Sequence, residues 1–291
     1  MTADVLLTGA TGFTGSFVCQ QLLKRGIQFD CLVRPSSQTA QLKALDLKLV
    51  EGDLDDLDSL CQVFPGYRAL INVASIGFGA GPKIVTACED SGLKRAIFVS
   101  TTAIFTKLNA KSKALRQAAE SAIMASQLDY TILRPTMIYG TPRDRNMIRL
   151  LRLIQRSPII PVLGSGTSLQ QPVHVEDVAW AIGEVLNHPK TFRRDYNISG
   201  GQILSYNEVI QSASQALGKQ PILLHIPVNL SLRVIQIANT FGLKMPVSTE
   251  QVLRLNEDKV FDHRAAKEDF NYSPRSFIAG IAQEAALLRV S

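Results

Sequence analysis

The sequence predicts an α/β protein: a doubly wound parallel sheet joined to a smaller, interleaved C-terminal domain. Three observations point there. Short apolar runs alternate with amphipathic stretches through the first half of the chain. A glycine-rich turn follows the first apolar run without a break. After Pro135 the alternation gives way to longer amphipathic stretches punctuated by proline.

The apolar runs are Asp4–Thr8, Gln28–Val33, Leu47–Glu51, Ala69–Ala74, Arg95–Ser100 and Tyr130–Arg134, each short enough to be a strand. Between them, Ser16–Arg25, Leu57–Val63 and Ile84–Ser91 carry apolar residues at helical spacing. Each of these is closed by a glycine: Gly26, Gly66 or Gly92. Strand–helix–strand repetition requires right-handed crossovers, so the sheet is parallel and covered on both faces. Beyond Pro135, Met147–Gln155 and Val175–Leu186 read as helices and Pro158–Gly166 as loop and short strand. Tyr196–Ser199 reads as a strand returning to the sheet. From Ser205 onward the text is mostly helical, with Pro221, Pro227 and Pro246 as breaks. The expected division is therefore 1–140, rejoined by 174–199, for the sheet domain. Residues 141–173 and 200–291 make the smaller domain, laid over the carboxyl edge of the sheet, where a substrate would lie.

Composition narrows the classes. Of 291 residues, 46% are hydrophobic and 19% charged, which leaves no case for disorder. No apolar run approaches the ~20 residues of a spanning helix, and the start, MTADVLLTGATG, has no basic leader. A cytoplasmic protein with no membrane partner is expected. The net charge of +6 is mild and dispersed, which suits anionic small ligands and argues against a nucleic-acid partner. Cys19, Cys31, Cys61 and Cys88 show neither CxxC nor metal-ligand spacing, so free thiols and no metal are expected. Neither GxSxG nor HExxH occurs, and the four histidines are scattered, so hydrolytic and metal chemistry drop out.

The turn reads Thr8-Gly9-Ala10-Thr11-Gly12-Phe13-Thr14-Gly15, with a helix starting near Ser16. Gly9 allows a tight turn, Gly12 lets backbone approach a pyrophosphate, and Gly15 lets the helix pack close to the strand. The helix N-terminus offers free N–H donors to the phosphates. A Rossmann sheet binding a dinucleotide follows.

TGATGFTG resembles the short-chain dehydrogenase/reductase superfamily, especially its extended and atypical branches, epimerase/dehydratase-like and NmrA-like. Further fragments match in order over about 1–200: Gly52-Asp53-Leu54, Asn72-Val73-Ala74-Ser75, Val99-Ser100-Thr101-Thr102, Arg134-Pro135-Thr136-Met137-Ile138-Tyr139-Gly140, and His174-Val175-Glu176-Asp177-Val178-Ala179. The resemblance implies that Thr11, Phe13 and Thr14 join the glycines on the cofactor. It sets Asp53 and Leu54 against the adenine, and Ala74, Ser75 and Thr101 along the groove. Pro135, Met137 and Ile138 would lie beside the nicotinamide.

An NAD site carries an acid at the end of the second strand, whereas this chain has Arg34-Pro35-Ser36-Ser37 there. Arg34 could grip a 2′-phosphate bidentately with Ser36 or Ser37 as further donors, so NADP(H) is preferred and NAD is the alternative. Family members that turn over use a Tyr and a Lys four residues later. Here the following helix, Ala110–Ser126, has no tyrosine. Setting Glu120 at the family's Glu puts Arg116 in place of the Lys and Ser112 in place of the Tyr. Thr102 matches the family's orienting hydroxyl. Lys113, Arg116 and Glu120 share one helix face, so Lys113 becomes the candidate proton donor with Arg116 behind it; a solvated basic face is the competing reading. Arg145, Arg149, Arg152 and Arg156 form a second basic face, which could meet the diphosphate of a nucleotide-sugar. The expected function is an NADP(H)-dependent oxidoreductase or nucleotide-sugar epimerase-like enzyme acting on a small molecule, as monomer or homodimer. The alternative is a non-catalytic NAD(P)H-binding redox sensor or an assembly or structural subunit.

Overall fold

The computed structural model describes residues 3–108, 111–240 and 248–290. Strand and helix alternate as β1 (Val5–Thr8), α1 (Phe13–Lys24), β2 (Phe29–Val33), α2 (Ala40–Ala44), β3 (Leu49–Glu51) and α3 (Leu57–Val63). The pattern continues through β4 (Ala69–Asn72), α4 (Gly81–Asp90), β5 (Arg95–Val99), α5 (Lys111–Ala125) and β6 (Asp129–Pro135). Next come β7 (Ile138–Tyr139), α6 (Met147–Arg156), β8 (Ile159–Leu163), β9 (Leu169–Gln170), β10 (Val173–His174), α7 (Val175–Val185) and β11 (Arg194–Ile198). The chain then runs through β12 (Leu204–Ser205), α8 (Tyr206–Ala216), β13 (Ile222–Ile226), α9 (Val228–Thr240), α10 (Thr249–Leu255), α11 (Arg264–Phe270) and α12 (Phe277–Val290).

Seven strands form one parallel sheet in the order β11-β6-β5-β4-β1-β2-β3. β1, β4 and β5 are buried at every residue, as strands covered on both faces must be. On one face Leu7, Val18, Leu22, Val178 and Ile182 pack α1 and α7 onto the sheet. On the other, Leu6, Leu60, Ile84, Phe98 and Ile123 do the same for α3, α4 and α5. A separate apolar cluster, including Met147, Leu151, Ile210, Phe277 and Ile281, joins α6, α8 and α12. The order reverses between β1 and β4, so a crevice opens at their carboxyl ends.

One stretch departs from the sequence expectation. Ile222–Ile226, read there as part of a mostly helical tail, is a strand running parallel to β8. Pro221 and Pro227 bracket it. They mark strand ends, where a missing N–H costs least.

A buried ion pair fixes the helix beside the crevice. Arg134 of β6 donates from Nη2 to Glu120 of α5 at 2.6 Å and also meets Asp195 of β11. Ser100 donates to the same Glu120 carboxylate. Because an unpaired charge at this depth is costly, these contacts hold α5 in one position over the ends of β5 and β6. All four cysteines are free. Among the described residues, no helix is long and apolar enough to cross a membrane and no cluster of side chains is placed to hold a metal.

Candidate functional site

Gly9 lies at the floor of the crevice with φ of +74°, a conformation glycine adopts without strain. A Cβ there would meet Ala74 N at 2.6 Å, and one on Gly15 would meet Gly9 O at 2.0 Å. Strand end, turn and first helical turn are thus in backbone contact. Thr8 Oγ1 donates to Asn72 Oδ1 at 2.7 Å, and Asn72 Nδ2 to Ala74 O at 2.9 Å, tying β1 to the end of β4. Gly12 differs from its neighbours. It caps α1 with φ of −76° and no side-chain hydrogen bond, and it lines open space together with Phe13, Thr14 and Gly15. The free N–H groups of the α1 N-terminus therefore lie along a cavity.

Two cavities meet at Gly9. The outer one, about 230 Å³, is lined by Thr11, Arg34 and Ser37 on one side and by Asp53, Leu54, Ala74 and Ser75 on the other. Arg34 is exposed, and its guanidinium has no partner among the described residues. Ser37 lines this cavity and Ser36 does not. Ser37 Oγ accepts from Arg34 N at 3.2 Å, which closes the turn.

The inner cavity, about 680 Å³, runs from the α1 N-terminus past Thr101, Met137 and Ile138 to Arg116, Arg145, Arg254 and Lys259. Pro135 is not part of its lining; its carbonyl accepts from Thr102 Oγ1 at 3.4 Å. Thr102 lines the cavity too, at 6% exposure, with its hydroxyl engaged in that bond. Thr101 is half-buried. Its Oγ1 accepts from Ala103 N at 3.2 Å, which leaves the O–H free to donate into the cavity.

Lys113 is placed away from this cavity. Its ammonium donates to Thr106 O at 2.6 Å, and it is absent from the lining. Arg116 does face the cavity, one helical turn before the anchored Glu120, and donates from Nη1 to Ser112 Oγ at 2.8 Å. Burial, and secondarily the charge of Arg254, hold its pKa below the ordinary arginine value. Of the second basic face only Arg145 reaches the cavity; Arg149, Arg152 and Arg156 are exposed elsewhere. Tyr139 is buried against His174, ring centroids 5.4 Å apart, and donates to Phe277 O at 3.4 Å. Burial, helped by Arg275, pushes His174 down to about 4, so it stays neutral.

The C-terminal residues of the cavity, Arg254, Glu257 and Lys259, carried no sequence signal, because no local motif surrounds them. They reach the site from α10 and the loop after it.

The two cavities, the glycine that fills no space and the exposed N–H groups fit a dinucleotide in size and donor chemistry, with Arg34 and Asp53 able to hold one end and Met137 and Ile138 the other. Fold and crevice together define a dinucleotide-binding α/β protein. The chain belongs to the NAD(P)H-binding family, whose model matches residues 9–189. It is 29% identical over 234 residues to a ceramide reductase of Caulobacter vibrioides, covering 77% of this chain and 73% of that one. It is 26% identical over 270 residues to the mitochondrial NADH dehydrogenase (ubiquinone) 1 alpha subcomplex subunit 9 of Arabidopsis thaliana, covering 86% and 67%. The fold also matches the crystal structure of a nucleoside-diphosphate-sugar epimerase from Pseudomonas aeruginosa, with TM-score 0.78, 14% identity and coverage of 100% and 98%.

Proposed function

We propose that this chain is an NADP(H)-dependent reductase of the extended short-chain class, acting at a carbonyl or alcohol carbon. One observation carries the reading: the Thr101 hydroxyl and the Arg116 guanidinium face one cavity, across the glycine turn from Arg34. When bound, the dinucleotide supplies hydride. Thr101 donates a hydrogen bond to the substrate oxygen and orients it. Arg116 places a fixed positive charge where negative charge develops on that oxygen. Arginine keeps its proton at neutral pH, so the proton that ends the reduction comes from water in the open cavity. Because α5 carries Ser112 and not Tyr, proton transfer is slower here than in members with the full pair.

A steady oxidation of NADPH by members of a carbonyl panel is the test, and Thr101→Val should reduce kcat by about 10²-fold, the scale of one lost oxyanion donor. The absence of turnover with any carbonyl, while NADPH still binds, would favour a second reading. That reading is a non-catalytic NAD(P)H-binding subunit, assembly factor or redox sensor. Two observations favour it: the missing tyrosine with Lys113 held on Thr106, and the likeness to the Arabidopsis subunit.

Arg34 supports NADP(H) over NAD. Arg34→Asp should weaken NADPH binding by about 2 kcal/mol, a lost charge-assisted contact, and leave NADH almost unchanged. Fluorescence titration of both nucleotides checks this, and equal affinities in the unmodified protein would remove the preference.

A further inference from the structure

Arg116 has an unusual setting for a half-buried cation. Among the described residues no carboxylate lies within ion-pair distance of it, and its one hydrogen-bond partner is the neutral Ser112. Its guanidinium lies flat against the 3-10 turn Ile76–Phe78, where a Cβ on Gly77 would come within 2.9 Å of Nε. That glycine clears the place for the guanidinium. Arg254, from α10, lines the same inner cavity beside Thr101, and among the described residues its carboxylate neighbour is Glu250 of its own helix at 3.5 Å.

The acids of the inner cavity are already engaged. Glu257 accepts from Thr106 Oγ1 and from Lys107 N, each at 2.7 Å, and Asp258 accepts from Leu169 N at 2.7 Å. Lys259, also in the lining, donates its ammonium to Arg254 O. Four cations, Arg116, Arg145, Arg254 and Lys259, thus meet two occupied carboxylates in one space. Two arginines facing a shared cavity repel each other unless something negative enters between them. Burial first, and then the charge of Arg254, hold the Arg116 pKa below the ordinary arginine value, in keeping with that repulsion.

We propose that Arg116 and Arg254 form an oxyanion clamp, and that the substrate of this cavity carries a carboxylate or phosphate close to its reacting carbonyl. The proposal rests on the reductase reading for the carbonyl, but the clamp itself binds an anion whether or not turnover follows. A guanidinium offers paired donors matched to either group, and two of them from separate helices hold it from two sides. The clamp also accounts for an arginine at the helix position where related enzymes carry lysine. The arginine grips the substrate through a fork, and its charge adds to the stabilisation of the neighbouring oxygen.

The test is calorimetric titration of malonate, inorganic phosphate and neutral malonamide, with the protein saturated with NADPH and again without it. Malonate or phosphate should bind the NADPH-loaded protein at least tenfold more tightly than malonamide. Arg116→Gln and Arg254→Gln should each lose that advantage tenfold or more, and Arg149→Gln, outside the cavity, should keep it. Arg254 lies on the surface side, so its variant keeps the readout if Arg116→Gln folds poorly. Binding of malonate alone assigns a carboxylate, binding of phosphate alone a phosphate. Equal affinity for malonate and malonamide, or an equal loss on Arg149→Gln, overturns the clamp. A protein that binds no NADPH yet still shows the arginine-dependent anion affinity would sink the reductase reading and leave the clamp standing.

Discussion

Gly12→Val is expected to lose NADPH binding by more than about 100-fold while the protein stays folded. The two halves of that expectation have separate causes. Gly12 has φ of −76° and ψ of 170°, which any L residue adopts, and a Cβ there would meet nothing nearer than Gly9 O at 3.2 Å. The backbone therefore tolerates a side chain with a small shift. The two methyl groups of valine, however, would stand in front of the α1 N-terminus, where a pyrophosphate must come within hydrogen-bond distance of the N–H groups. Several charge-assisted contacts vanish together, and each is worth about 1.5–3 kcal/mol. Gly15→Val is the contrast. Its Cβ would lie 2.0 Å from Gly9 O, so this substitution should damage the fold itself. Nucleotide fluorescence and thermal melts on both variants separate the roles. Unchanged nucleotide affinity in Gly12→Val would show that the turn holds no phosphate, and Gly12→Ala repeats the test should the valine melt early.

Why the sequence disclosed this half of the site and not the other follows from how each is built. Thr8 to Gly15 is one contiguous stretch, and its backbone geometry is written in the glycine spacing. Sheet order and crevice position then follow from the alternation of runs and the handedness of crossovers. The opposite wall is assembled from distant segments. Arg254 and Lys259 come more than a hundred residues after Arg116, with no motif around them. Helical spacing set Lys113, Arg116 and Glu120 on one side of α5. It could not tell that Glu120 turns inward to Arg134 while Lys113 turns to the Thr106 carbonyl. Thr101 and Thr102 are a subtler case. Both line the cavity, and only coordinates say that the Thr102 hydroxyl donates to Pro135 O while Thr101 Oγ1 accepts from Ala103 N at the start of the 3-10 turn Thr102–Phe105. The strand Ile222–Ile226 escaped because its partner, β8, lies some sixty residues earlier.

Glu284→Gln should make the protein markedly more stable at alkaline pH. Glu284 of α12 is fully buried; Oε2 accepts from Gly140 N at 2.9 Å. Beside it lies Asp144, also buried, whose Oδ1 accepts from Asn146 N at 2.9 Å and Ile148 N at 3.2 Å at the start of α6. The two remaining oxygens, Glu284 Oε1 and Asp144 Oδ2, have no donor among the described residues. A proton kept on Glu284 satisfies both. Burial first, and then the neighbouring Asp144, push this carboxyl up to about 9 from its ordinary 4.5. The folded state thus holds a proton that the unfolded chain releases above pH 4.5. The stabilisation is complete below that value and is lost as pH rises towards 9, by up to about 1.4 kcal/mol per unit. Glutamine reproduces the protonated acid, with its amide N–H for Asp144 and its carbonyl for Gly140, and it does not titrate. The stability gap between variant and unmodified protein should therefore widen steadily from pH 5.5 to 8.5, by about 4 kcal/mol in all. Urea unfolding at four or five pH values measures the gap directly, and taking the difference cancels His174 and every other group common to both. Parallel curves would mean that Glu284 is ionised in the folded protein and that some other donor satisfies the pair. A widening gap would establish one stored proton joining α12 to the segment that carries Arg145 into the cavity.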